Sequence, residues 1–435
     1  MLYELSEKAI KEVSKYCDTY QIFISQSKGI ELSAEKTELN FAKEEINLGL
    51  GISVINDKKL GHAYTSNIDE IAQTAKQAYL NSKINEEDEN FQFTEPGKYK
   101  DVKGTYDKKI DDLSLDDATE YMNGIFNVVE DEKCNVSSGE FSAVKSEELI
   151  VNSNGLDVYE KSTGFGGYVS VNVVQDGELS NAYEGESSCM YKLNGGKIAE
   201  DACRIAKDSL GGKPIETKDM PVILNYHASA GLLNNFINGI SGDNVLRGRS
   251  ILKDKIGENI FSDNLSIYDD NTYEGGMASG KADGEGTPSQ KTVIADNGVL
   301  KNFIFDIYNG NKGNTESTSN GFSGSYAGIP GVSSSNLIFD FNDLMDMSEI
   351  DNAIIVNDVL GAHTANPISG DFSVEASNAF LVENGEITTP VKKAMLSGNI
   401  YQALSDCAGV KSEIKQFGSF IIPQILMSSL RVIGQ

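Results

Sequence analysis

Tryptophan is absent from this 435-residue chain, histidine occurs three times and proline eight times. Three histidines (His62, His227 and His363) leave little room for an imidazole-rich metal centre. Basic residues are short as well: 37 Lys and Arg stand against 65 Asp and Glu, a formal charge of −28. A field of that sign repels phosphate backbones, so nucleic acid and anionic membranes are excluded as partners of the bulk surface. No Lys/Arg cluster makes a local exception. Apolar runs never approach the roughly 18 residues that a membrane-crossing helix requires. The five cysteines, at 17, 134, 189, 203 and 407, include no CxxC pair. An odd, scattered set is no disulfide framework and reads as reduced, buried, cytosolic thiols. The opening stretch MLYELSEKAIKEVSKY is amphipathic and of mixed charge, unlike a signal peptide, and the expected location is cytoplasmic.

What is abundant is glycine, 42 residues against a background of about 7%. With Tyr and Phe as the only aromatic bulk, that profile favours many glycine-punctuated strands over helical bundles. The length predicts two domains. We expect an α+β protein with an N-terminal α/β domain over 1–215 and a β-rich domain over 216–435.

Within the first half, two stretches read alike. Residues 4–80 run helix, alternating strands, helix, and residues 118–210 repeat that order. The best matched pieces are GLGISVINDKKLGHAY (49–64) and GGYVSVNVVQDGELSNAY (166–183), each a strand, a turn and a strand ending in Ala-Tyr. A weak duplication of a helix–β-meander–helix unit is expected, each unit burying one sheet face against helices. The charged, irregular link 85–110 is expected to wrap the surface. Asp176-Gly177, Asn297-Gly298 and Asn384-Gly385 are type I′ hairpin signals. The segments 299–310, 336–341, 353–361, 372–387 and 419–434 read as strands. The last is too apolar for a free tail and belongs in a sheet or a subunit interface.

One stretch raises the question of metal. VILNYHASAGLLNN (222–235) places His227 at the start of a helix. A zinc peptidase helix brings two histidines four or five residues apart to one metal, with a glutamate beside the first to activate water. Here Ala228 follows His227, and Gly231 and Leu232 occupy the places four and five residues on. His363, in the polar loop GAHTANPISGDFS, is the one distant histidine that could share a metal with His227. His62 reads as a surface strand residue.

Two glycine-rich loops remain. EGGMASGKADGEGTPSQ (274–290) begins like a phosphate-binding loop at Gly275-x4-Gly280-Lys281, but Ala282 stands where the Mg²⁺-binding hydroxyl belongs. Its glycines, including Gly280, Gly284 and Gly286, instead let the chain pass close to something extended. NGNKGNTESTSNGFSGSYAGIPG (309–331) is polar, with Phe322 and Tyr326 as its large anchors. Two such loops in one domain point to a groove or a subunit contact. No serine lies in a GxSxG elbow, and paired acids are too numerous to argue glycosidase chemistry.

Taken together, LLNNFINGISGDNVLRGRSILKDKIGENIFSDNLSIYDD (232–270), residues 275–310, residues 362–391 and GSFIIPQILMSSLRVIG (418–434) resemble the TldD/PmbA family, metallopeptidases once called modulators of DNA gyrase. The resemblance covers nearly the whole chain. It implies an N-terminal α/β domain, a β-rich C-terminal domain and dimers enclosing a cleft. The TldD-like branch carries HExxxH and a later cysteine; the PmbA/TldE-like branch lacks them. His227 falls on the first histidine, Ala228 replaces the glutamate and Leu232 the second histidine, and no cysteine lies around Gln416-Phe417-Gly418. The resemblance therefore implies a PmbA/TldE-like subunit without catalytic residues or a metal of its own, with zinc held by a TldD-like partner. It implies a homodimer alone or a heterodimer with that partner, acting on small unfolded peptides. His227, Gly280, Lys281, Gly284, Gly286, Phe322, Tyr326 and His363 are the candidate cleft or partner-facing residues. Two alternatives stay open: a peptidase in its own right with an atypical ligand set including His227, and a gyrase-linked protein-binding modulator.

Overall fold

Six long strands build the N-terminal sheet, and their alternation decides which of its faces is dry. The computed structural model describes residues 1–192 and 194–434. In it β1 (Tyr20–Glu35), β2 (Glu38–Asn56) and β3 (Lys59–Thr65) form one antiparallel meander. A second is formed by β4 (Asn135–Asn152), β5 (Asp157–Gln175) and β6 (Glu178–Ser188). β1 and β4 pair antiparallel from Gln21↔Asn152 to Glu35↔Ser138, which gives the order β3-β2-β1-β4-β5-β6.

Even-numbered residues of β1 (Ile22, Ile24, Ile30, Leu32) and odd-numbered ones of β4 (Phe141, Ala143, Leu149, Val151) share the buried face, as a period of two requires. Helices cover that face. α1 (Leu2–Val13) and α2 (Ile71–Ile84) pack over one half of it. Beyond a single turn, α3 (Lys108–Asp111), α4 (Leu115–Asp131) and α5 (Gly195–Asp208) pack over the other. A Ser114/Asp117 capping box starts α4 by satisfying its first free amides. The opposite sheet face carries small and polar residues, among them Ser25, Ser53, Gly49, Gly51 and Gly164. It meets the C-terminal region.

That region is β-rich. β7 (Lys218–Leu224) pairs parallel with the strand Asn352–Leu360 and antiparallel with Phe420–Gly434. The latter also pairs with Ala394–Asn399, which pairs with Asp371–Glu383, which returns to Asn352–Leu360. Five strands thus close on themselves. The apolar 419–434 segment is the central strand of the sheet, as its composition requires. Its Pro423 cannot donate to the ladder, and it lies where the pairing register with Cys407–Phe417 shifts.

α6 (Tyr226–Ile240) lies against this sheet with Leu232, Leu233, Phe236 and Ile240 in the core. Fully buried side chains such as Leu233 and Phe236 each contribute about 1.5–3 kcal/mol from apolar burial.

One expectation is corrected. The segment 299–310 is strand only at Val299–Leu300, and Ile307–Lys312 is helix. Asp306 explains the change, because its carboxylate accepts from the Asn309 amide at 2.7 Å and so caps a helix that apolar alternation conceals. The link 85–107 carries no helix or strand and is mostly exposed, and hydrogen bonds hold it in place. Thr94 Oγ1 donates to Glu285 O (2.6 Å), Tyr99 Oη to Gly286 O (2.9 Å), and Asn311 Nδ2 to Asn90 O (2.9 Å).

Candidate functional site

His227 sits in the first turn of α6, whose start is capped by Asn225 Oδ1 accepting from the Tyr226 amide at 3.0 Å. The imidazole is 5% exposed. Its Nε2 stands 3.1 Å from Glu184 Oε2 on β6, so the contact joins the two regions. The rings of Tyr183 and Phe417 pack edge-on against it, with centroids 4.7 and 4.4 Å away. Nδ1 is buried without a partner.

The neighbouring positions are apolar: Ala228 is fully buried and Leu232 nearly so, both in the core. A zinc ion needs about three protein ligands and an open position. Around His227 the first candidate ligand atom is taken up by Glu184, and aromatic rings fill two further sides. Among the described residues no group of three or more His, Cys, Asp or Glu is placed to hold a metal ion. The residues here do not fit zinc. His227 instead lines an open cavity of about 530 Å³ with Glu140, Tyr168, Glu186 and Phe417. Burial raises the Glu186 carboxyl and the Tyr183 phenol above their ordinary values.

His363 is elsewhere. It stands exposed on the turn Ala362–Thr364 and does not line the cavity at His227.

The glycine loops do converge. Gly284, Phe322 and Tyr326 line a cavity of about 210 Å³ together with His62, Glu148 and Glu160. Lys281 stands at its edge: its backbone amide donates to both oxygens of Glu160 (3.1 and 2.8 Å), and its Nζ pairs with Asp101 at 3.0 Å. Gly280 is glycine for room, since a methyl group there would press on the Glu160 carboxylate. Burial pushes Glu160 up to about 7, with the Lys281 amide opposing. Gly286 takes the left-handed conformation (φ +86°) and packs on Leu156 outside the cavity.

Tyr326 lies over Gly49 and Gly51 of β2, where any side chain would collide with it. His62 is therefore half-buried and not an open surface residue. Its Nδ1 is 3.0 Å from Ser53 Oγ, and burial beneath the Tyr326 segment lowers its pKa.

Sequence reasoning missed two features. One is Glu184, whose alignment with His227 depends on strand register. The other is a third cavity of about 500 Å³, beside the second, which forms where residues 91–93 of the link meet α6 and the 329–332 segment.

Known proteins match along the whole length. Three family models fit in order: PmbA/TldA metallopeptidase domain 1 (20–82), central domain (108–210) and C-terminal domain (217–434). The chain belongs to the TldD/PmbA family. An uncharacterised protein of Methanocaldococcus jannaschii is 35% identical, covering 97% of this chain and 98% of that one. A metalloprotease PmbA homologue of Haemophilus influenzae is 26% identical over 98% and 94% of the two chains. Among solved structures, TldE from Thermococcus kodakarensis superposes with a TM-score of 0.91 at 27% identity, covering 99% and 100%. At this position the chain has Ala228 directly after His227 and Leu232 five residues on, and Phe417 packs on the imidazole.

Proposed function

We propose that this chain is the non-catalytic, PmbA/TldE-like subunit of a two-chain zinc metallopeptidase that processes small unfolded peptides. The observation that carries the reading is the surroundings of His227: buried, bonded to Glu184, flanked by Tyr183 and Phe417, and followed by Ala228 and Leu232. Likeness to a metalloprotease PmbA homologue and to TldE supports it. In this reading the zinc and the general base belong to an HExxxH-bearing sister chain, and this subunit completes the chamber.

The loops 274–290 and 309–331 would then border the peptide path. The second and third cavities share Gln21, Ser53 and Pro330, which supports one elongated channel along the small-residue face of the N-terminal sheet. An extended peptide held mostly through its backbone needs few side-chain contacts, which suits broad substrate tolerance. We read the two helix–meander–helix halves as a duplication that supplies this broad sheet, and place the domain division at 215/216. The location remains proposed as cytoplasmic; among the described residues no helix is long and apolar enough to cross a membrane.

The test is reconstitution. This chain, an HExxxH-bearing sister and their mixture are assayed on unfolded peptides of about ten residues. Hydrolysis that needs the sister and rises on mixing supports the reading. Zinc-dependent hydrolysis by this chain alone would remove it.

A further inference from the structure

The cavity of about 500 Å³ has an apolar wall and an acidic floor. Phe91 and Phe93 from the link, Ile55 from β2, Ile237 from α6 and Ile329 form the wall. Glu285 and Asp306 form the floor, with Asp283 directly behind them on the second cavity. These three carboxyls accept from backbone amides and, at Asp306, also from the Asn309 carboxamide (2.9 and 3.2 Å). Glu285 Oε2 accepts from Ile307 N (2.8 Å) and Asp306 Oδ1 from Asn309 N (2.7 Å). Asp283 accepts from Gly321, Thr287 and Glu285 N at 2.9, 2.9 and 3.0 Å. Among the described residues no Lys, Arg or His lies within ion-pair distance of any of the three. The cavity's own cation, Arg247, is engaged by Asp243 at 2.8 Å.

Buried negative charge without a counter-ion is costly, and burial together with the Asp283 charge drives the Glu285 carboxyl well above its usual range. A cation delivered into the cavity relieves that cost. A divalent metal does not suit the geometry, since no group of three or more ligating side chains is placed to hold one. An anion finds no basic partner among these carboxyls, and a neutral apolar ligand gains nothing from the floor. Apolar walls around a carboxyl that only a cation would hold ionised match an apolar group bearing an ammonium.

We propose that this cavity binds the free amino end of a peptide whose first side chain is apolar, with Glu285 as the counter-ion of the ammonium. The choice of a peptide rests on the subunit reading above; the ammonium-plus-apolar chemistry does not. The rest of the peptide leaves past Gln21, Ser53 and Pro330 into the second cavity. The site would thus select peptides by their amino end, away from His227.

The probe is leucinamide, titrated calorimetrically into the purified chain at neutral pH, with N-acetyl-leucinamide as its uncharged counterpart. Saturable leucinamide binding is expected, with acetylation weakening it at least about tenfold and Glu285→Gln doing the same. Equal binding of both amides, no leucinamide binding, or an unchanged affinity in folded Glu285→Gln overturns the proposal. Should Glu285→Gln fail to fold, Ile329→Arg serves instead. Ile329 is exposed at the rim, and the new guanidinium should occupy the floor and abolish binding. Unchanged leucinamide affinity in Ile329→Arg contradicts the proposal as well. Because the readout is binding to the isolated chain, it is independent of peptide hydrolysis. Leucinamide binding without any reconstituted hydrolysis would uphold this site and sink the subunit reading.

Discussion

His227 Nε2 and Glu184 Oε2 lie 3.1 Å apart and connect the first turn of α6 to β6 of the N-terminal sheet. The imidazole is presented to a carboxylate, with the rings of Tyr183 and Phe417 on two further sides. Such a contact is structural, and it predicts a stability effect. His227→Ala should cost about 2–3 kcal/mol, from the cavity left among Tyr183 and Phe417 and the lost bond to Glu184. Glu184→Gln retains an acceptor and should cost less than about 1 kcal/mol. Urea unfolding measures both, and a His227→Ala effect below about 0.5 kcal/mol would contradict a packing role.

Stability should rise as the solution is made mildly acidic. Burial pushes Glu160 up to about 7 and Asp269 up to about 6, and raises Asp306 and Glu285 as well. Unfolded carboxyls titrate near 4, so between roughly pH 4 and 7 the native state binds more protons than the unfolded one. The contribution of these groups is full below about pH 4 and lost as pH rises through their folded values. Asp111 runs the other way: burial opposes, but hydrogen bonds from Tyr106, Lys161 and Lys145 hold it at about 2. Its contribution is lost only in stronger acid, outside this window, and His62, lowered by burial, opposes the trend inside it as one group against several carboxyls. Thermal unfolding should therefore have a higher midpoint at pH 5 than at pH 8, with Glu160→Gln narrowing the gap. A midpoint that falls between pH 8 and pH 5 would refute the sign.

Gly51 faces the backbone carbonyl of Tyr326, and an added methyl must displace that backbone. Gly51→Ala should lift the 321–332 segment from the sheet while leaving the helix-covered face intact. Amide exchange of 321–332 should accelerate at least about tenfold, a local opening cheaper by about 1.4 kcal/mol. Unchanged exchange there would show that the segment is not seated on β2.

The link is held by single hydrogen bonds whose partners lie across the chain. Removing two of them with Thr94→Val and Tyr99→Phe should lose about 1–3 kcal/mol of local stability and expose 90–100 to proteolysis. Equal cleavage rates in variant and parent would mean that packing of Phe91 and Phe93 suffices.

Local rules served well where local chemistry decides. Asp176-Gly177, Asn297-Gly298 and Asn384-Gly385 all turn with both residues at positive φ, as a type I′ hairpin demands. The helix at His227 and the strand at 420–434 lie where apolar patterning places them. The losses have physical causes. A helix cap at Asp306 outweighed alternation over 299–310. His62 looked exposed because the segment that covers it comes from more than 260 residues away in sequence. Glu184 and the acidic cavity depend on strand register and on how distant loops meet, which no local pattern encodes.

The most direct measurement is zinc content per chain, taken by elemental analysis after dialysis against trace zinc, for the parent and His227→Ala. With His227 bonded to Glu184 and followed by Ala228 and Leu232, the parent should hold close to none, with no change in the variant. About one zinc per chain, lost in His227→Ala, would mean a complete ligand set around that imidazole and would contradict the reading of a non-catalytic subunit.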